Sequence, residues 1–204
     1  MKSTRSWLLM AILTFAAAIA GALLARTLNR SVVPLAAGTW LPRARSISAF
    51  SLTDMTGKPF SLADLSGHPT LVFFGFTYCP DICPTTLATL AEAVRDTPVP
   101  GLKVVFITID PDRDSADNLR QYLGSFSKEF IGVRGPAPDL QPLLRSLGAI
   151  AVRQPLPDGS YTMDHSATVY LVNNAGRLAA VFSPPLAAAT LHADLLRIAD
   201  SGKL

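Results

Sequence analysis

Two cysteines and one histidine carry the chemistry legible in this chain. Cys79 and Cys83 are the only cysteines, and three residues separate them in the run Phe74-Gly75-Phe76-Thr77-Tyr78-Cys79-Pro80-Asp81-Ile82-Cys83-Pro84. Residues four apart on a helical turn face the same way, with Cα atoms about 6 Å apart, a separation that a disulfide can bridge. The same two sulfurs can therefore hold a soft metal when reduced or close on each other when oxidised. Two thiolates favour Cu(I), and an added imidazole completes a three-coordinate site that also accepts Cu(II). A purely structural disulfide is the bland alternative, but so small a loop would contribute little to stability.

The cysteines follow Thr70 to Phe76, an almost continuous apolar run that predicts a strand buried on both faces. They precede Thr85 to Arg95, where Leu87, Leu90, Ala91 and Val94 fall on one helical stripe. The pair thus sits at the carboxyl end of a strand, where open α/β sheets place their sites. With Cys83 in the first helical turn, free N–H groups and the helix dipole are expected to lower its thiol pKa. Pro84 suits that turn, where a missing N–H costs nothing.

The imidazole must come from His68, His165 or His192, the three histidines of the chain. His165 stands in a loop just before the strand 167–172, and in a thioredoxin-type sheet that loop lies beside the cysteine turn. His68 precedes the first buried strand at its opposite end, and His192 falls inside the last helix; both are expected on the surface. Asp164 either orients His165, as carboxylates do for metal-bound imidazoles, or forms a turn. Met163 reads as packing rather than as a thioether ligand. Asp110, Asp112, Asp114 and Asp117 form an acidic patch with two readings, helix capping with solvation or the docking of a partner.

The remaining elements must position these groups. Residues 48–62 predict two short strands around a turn at 54–58, with Gly57 free to take a positive φ. A second buried strand spans 102–109, followed by a helix over 115–126 capped by Asp114 or Ser115 and another over 138–147 stopped by Gly148. Strands 167–172 and 178–182 flank the hairpin signal Asn173-Asn174-Ala175-Gly176, and 185–198 closes the chain as a helix. This order is α/β, with a central mixed sheet flanked by helices.

Ahead of this domain, Trp7 to Ala25 is a charge-free stretch of 19 residues between Lys2 and Arg5 on one side and Arg26 on the other. It is long enough to cross a bilayer as a helix, and it exceeds the ~7–15 residue core of a signal peptide, which favours an uncleaved anchor over residues 1–26. Residues 27–46 read as a tether rich in Pro, Ala, Gly and Arg, and the domain is expected over 47–204. The net charge of +3 arises in the tail: residues 1–45 carry six basic and no acidic side chains, leaving 12 basic against 15 acidic beyond them. The domain is therefore acidic, which removes the support for a nucleic-acid partner.

In combination, Cys79-Pro80-Asp81-Ile82-Cys83-Pro84, Asp110-Pro111-Asp112-Arg113-Asp114, Phe130-Ile131-Gly132 and Asp164-His165-Ser166 resemble the Sco/SenC family, in order from about residue 48 to 200. The resemblance implies a thioredoxin-like fold behind a single-pass anchor in a bacterial inner membrane, with the domain in the periplasm. It implies one copper ion, Cu(I) or Cu(II), held by Cys79, Cys83 and His165. The function implied is that of a copper chaperone assisting assembly of the binuclear copper centre in subunit II of cytochrome c oxidase, with another copper chaperone as a second partner. Members of the family deliver copper, reduce the target's disulfide or sense redox state; a copper-binding assembly factor is not an enzyme in the turnover sense, and a thiol-disulfide reductase activity of the pair stays open beside it.

The rival reading is an extracytoplasmic thiol-disulfide oxidoreductase or thiol peroxidase using Cys79 and Cys83. Ordinary dithiol exchange uses cysteines two residues apart, whereas three intervene here. Peroxidases of this fold need a threonine and an arginine around one cysteine, and Thr77 lies two residues before Cys79. His165 separates the readings, because dithiol exchange does not require it. Zinc is weaker still, since a closed structural site wants four protein ligands.

Overall fold

The computed structural model describes residues 2–29, 33–97 and 99–204. The chain divides into two compact units, Met1–Val33 and Pro34–Leu204. The first contains α1, Lys2–Asn29, a single helix of 28 residues on which Trp7, Met10, Ile12, Leu13, Phe15, Ile19 and Leu23 are exposed. Among the described residues no helix is long and apolar enough to cross a membrane, so the transmembrane helix expected over Trp7 to Ala25 is not shown as such.

The second unit is built on an eight-stranded mixed sheet. Its strands are β1 (Gly38–Ser46), β2 (Ser51–Asp54), β3 (Pro59–Ser61), β4 (Thr70–Gly75), β5 (Lys103–Thr108), β6 (Ile131–Arg134), β9 (Val169–Val172) and β10 (Arg177–Phe182). They lie in the order β1-β10-β9-β4-β5-β6-β2-β3. β4, β5 and β6 run parallel, and the remaining pairs are antiparallel. The parallel pairs need crossovers, supplied by α2 (Ile82–Val94) between β4 and β5 and by α3 (Ala116–Gly124) between β5 and β6. α4 (Ala137–Leu147) packs against β2, and the closing α5 (Ala188–Asp200) packs against α2.

Sequence explains most of these elements. Every residue of β4 is buried, as its unbroken apolar run requires of a central strand. Ser115 caps α3 by accepting a hydrogen bond from the Asn118 N–H at 3.1 Å, and Gly148 ends α4 in the left-handed conformation at φ 74°. In the β9–β10 turn the Asn173 Oδ1 accepts from the N–H groups of Ala175 and Arg177, each at 3.1 Å.

Two features depart from expectation. Residues 38–46, read as part of the tether, form β1, which pairs with β10, so the compact unit begins at Pro34 rather than near residue 47. β1 is an edge strand with a register shift between Trp40 and Arg45, and mostly exposed residues around Pro42 give it no alternating pattern. The second departure is β7 (Ala151–Pro155) with β8 (Tyr161–His165), a two-stranded sheet of their own. Most of its residues are exposed or half-buried, so it lacks a core-facing stripe. Its turn signal was present in Pro157-Asp158-Gly159, where the Asp158 Oδ1 accepts from the Ser160 N–H at 2.9 Å.

Candidate metal centre

Cys79, Cys83 and His165 converge in the folded chain, with their ligand atoms all within 4.8 Å of one another. The cysteines reach the site from the β4–α2 junction. Cys79 lies in the loop and Cys83 is the second residue of α2, whose N-cap is Asp81, so the two do not share a helical turn as the spacing argument supposed. The Cys83 N–H donates to the Cys79 Sγ at 3.4 Å. The unpaired donors of the helix start therefore serve the first sulfur, not the second.

The expected lowering of the Cys83 thiol pKa is overturned. Cys83 is fully buried, and burial, reinforced by its hydrogen bond with Cys79, pushes its thiol up. Space for it exists because residue 75 is glycine: a Cβ there would stand 2.8 Å from the Cys83 Sγ and 2.7 Å from the Phe106 Cε2.

His165 is the last residue of β8, not part of a loop. Its Nδ1 lies 3.1 Å from the Ser166 carbonyl. A carbonyl only accepts, so Nδ1 carries the proton and Nε2 keeps its lone pair. That Nε2 lies 3.3 Å from the Cys83 Sγ, which donates to it as a thiol. Burial pulls the imidazole below its usual pKa range, against the Ser166 carbonyl and Asp164, which raise it. The ring is wedged edge-on between Phe73 and Phe76, with centroids 6.1 and 5.9 Å away. The Ser166 carbonyl thus orients the imidazole, while Asp164 is exposed and acts only through its charge.

The other expectations fall out as follows. His68 and His192 are half-buried rather than on the surface: His68 Nδ1 pairs with the Thr70 hydroxyl at 3.0 Å and His192 Nδ1 with the Ala93 carbonyl at 2.8 Å. Met163 lines a cleft with Leu140 and Leu144, as packing would have it. The acidic patch does not exist as one surface, because Asp110 and Asp114 are fully buried. Asp114 accepts from the hydroxyls of Thr77 at 2.6 Å and Thr108 at 2.5 Å, Asp110 pairs with Arg113, and the exposed Asp112 and Asp117 pair with Arg153 and Arg120. Asp114 thereby fixes the backbone two residues ahead of Cys79, a role that the sequence pattern did not reveal.

The donor set fits copper. Two thiolates and one imidazole suit Cu(I) and Cu(II), and among the described residues the cluster has no fourth His, Cys, Asp or Glu of the kind that a closed zinc site needs. Both cysteines are free thiols. Cys79 is 8% exposed, and Tyr78 and Ile82 beside it are 61% and 37% exposed, so the site lies just under the surface.

Comparison with known proteins agrees with this geometry. The family model described as SCO1/SenC matches residues 40–200. A protein of Stutzerimonas stutzeri named for copper binding is 38% identical over 164 residues, which is 79% of this chain and 80% of that one. The mitochondrial SCO2 homolog of Danio rerio is 38% identical over 132 residues, 62% of this chain and 47% of that protein, so the chain spans about half the length of this mitochondrial relative. Among solved structures, ScoI of Bradyrhizobium japonicum with copper bound superposes with a TM-score of 0.68 at 36% identity, covering 74% of this chain and 98% of that one. The thioredoxin-like mixed α/β architecture expected from the sequence is shared with it.

Proposed function

The chain belongs to the SCO1/SenC family, and we propose that it is a copper chaperone that holds one copper ion through Cys79, Cys83 and His165. Its recipient is the binuclear copper centre of cytochrome c oxidase subunit II, and its own supply is another copper chaperone. The observation that carries this reading is the convergence of two sulfurs and one oriented imidazole nitrogen within 4.8 Å. Copper is cargo here, so the site must release as well as hold. Three protein ligands under a thin cover, with Tyr78 and Ile82 exposed beside them, leave room for a recipient's ligand to enter.

The thiol peroxidase alternative loses support, because the Thr77 hydroxyl, two residues before Cys79, donates to Asp114 instead. A dithiol role in reducing a partner's disulfide remains a second function of the same pair, as the two sulfurs are close enough to join. We place the domain in the periplasm, held at the inner membrane by the charge-free run Trp7 to Ala25, since reactive dithiols and copper delivery to an oxidase both belong outside the cytoplasm.

The test is titration of the reduced full chain in detergent with Cu(I) and with Cu(II). One equivalent should bind, with thiolate-to-Cu(II) charge-transfer absorption, and the Cys79→Ser/Cys83→Ser variant should bind none. Stoichiometric copper in that variant would refute the proposal.

A further inference from the structure

The ribbon that carries His165 is joined to little else. β7 and β8 pair with each other and, among the described residues, with no strand of the main sheet. A lone hairpin is marginally stable in water, so contacts other than ladder hydrogen bonds must hold His165 against the cysteines. At His165 itself these are the Ser166 carbonyl and the rings of Phe73 and Phe76; for the rest of the ribbon they concentrate on Tyr161, at the opposite end of β8. Its hydroxyl donates to the Asp110 Oδ1 at 2.9 Å, and its carbonyl accepts from the Arg113 Nη1 at 3.0 Å. Its ring lies between two guanidinium groups, with the Cζ atoms of Arg113 and Arg153 at 3.9 and 4.1 Å from the centroid.

Both cations are fixed by the loop that follows β5, through the ion pairs Arg113–Asp110 and Arg153–Asp112. Arg113 also lies over Phe76 and Tyr78, at 5.8 and 5.1 Å from their centroids. One guanidinium therefore touches the turn that bears Cys79 and the ribbon that bears His165. Tyr161 and His165 are four residues apart on one strand, hence on the same face and about 13 Å apart along it. The near end of the ribbon is tied where the Ser166 N–H donates to the Ile150 carbonyl at 3.1 Å and the Ile150 N–H donates to the Ser166 hydroxyl at 3.0 Å, so a ribbon freed at Tyr161 tilts and twists about that base, and a small twist there turns the imidazole off the cysteine pair.

The geometry points to Tyr161 as the positioning residue that keeps the His165 Nε2 on the cysteine pair, with Asp110 and Arg113 as its seat, an inference that rests on the copper reading above. Two thiolates suffice for Cu(I), whereas Cu(II) draws on the imidazole. Tyr161 therefore governs the retention of Cu(II) and leaves Cu(I) to the cysteines.

The experiment compares Cu(I) and Cu(II) binding by the full chain and by its Tyr161→Phe and Tyr161→Ala variants. Outer groups that orient a metal-bound histidine are worth about 10- to 100-fold in affinity. Cu(II) affinity should accordingly fall about tenfold in Tyr161→Phe, which keeps the ring stack, and about a hundredfold in Tyr161→Ala. The charge-transfer absorption should weaken toward that of His165→Ala, while Cu(I) affinity stays unchanged and reports an intact fold. A loss confined to Tyr161→Ala assigns the hold to the ring stack, and a loss in both includes the hydroxyl. Wild-type Cu(II) affinity and spectrum in both variants would overturn the inference, as would equal losses of Cu(I) and Cu(II). If Tyr161→Ala does not fold, Tyr161→Phe decides alone. Failure of the unsubstituted chain to bind copper is a different result, which overturns the copper reading and this inference with it.

Discussion

The His165 Nε2 and the Cys83 Sγ lie 3.3 Å apart although 82 positions separate them in the chain. The imidazole is the acceptor in this contact, since its Nδ1 proton is already given to the Ser166 carbonyl at 3.1 Å. Burial favours the neutral form of both partners. Cys83 and His165 thus form an uncharged thiol–imidazole pair, which must lose the sulfur proton to take a cation.

Removing the imidazole separates the two oxidation states. His165→Ala should abolish the wild-type thiolate-to-Cu(II) charge-transfer absorption and keep Cu(I), for which Cys79 and Cys83 suffice. Visible spectra and competition titrations measure the two effects. A wild-type Cu(II) spectrum in the variant would exclude His165 as a ligand.

A methyl group at residue 75 should disturb the site from beneath. In Gly75→Ala the new Cβ meets the Cys83 Sγ at 2.8 Å and the Phe106 Cε2 at 2.7 Å, and overpacking of this kind costs about 1–3 kcal/mol. Denaturant unfolding should show that loss together with weaker copper binding. Gly124→Ala is the control, because nothing lies within 4 Å of a Cβ there; as the last residue of α3 it should leave copper binding unchanged and raise stability by up to about 1 kcal/mol.

Copper uptake should release protons from Cys83 and none from His165. Burial raises the thiol pKa, so Cys83 is protonated throughout the neutral range; burial lowers the imidazole pKa, so His165 is already neutral there. Apparent affinity should therefore rise with pH by about tenfold per unit for each proton displaced, and fall by the same factor as pH drops. Proton release measured during Cu(I) titration in weak buffer checks the sign. Affinity independent of pH between 6 and 8 (an approximate window, set by ordinary thiol and imidazole pKa values) would contradict the buried-thiol account.

Oxidation should compete with copper for the same atoms. Both sulfurs are free and lie within 4.8 Å of each other, so a disulfide can form locally and consume both thiolates. The oxidised protein should lose copper and remain folded, since the buried strands β4, β5 and β9 do not depend on the pair. Copper should likewise protect both thiols from alkylation, which mass spectrometry reads directly. Copper retained after complete disulfide formation would place the ligands elsewhere.

Topology is open to a simple test. A reporter that works only after export, fused behind Leu204, should be active if the domain lies in the periplasm. Activity of a cytoplasm-specific reporter at the same place would overturn that location.

The central strands, the crossover helices and the three candidate ligands Cys79, Cys83 and His165 were legible in the sequence. Unbroken apolar runs such as Thr70 to Phe76 have one stable use, and Cys79 and Cys83 are close because they are neighbours in the chain. It also held the family signature, because that signature is a set of local motifs in order. Burial and contacts between residues far apart in the chain settled the rest. The thiol pKa of Cys83 follows from full burial under Gly75, not from the helix start that local reasoning invoked. Asp110 and Asp114 look like surface charge in the sequence, yet they are buried partners of Tyr161 and Thr77. β1 and the β7–β8 ribbon escaped because edge strands and lone ribbons lack the two-fold alternation that marks a half-buried strand. Their places are set by Trp40 meeting Ala180 and by Tyr161 meeting Asp110, contacts between residues far apart in the chain that no local pattern encodes.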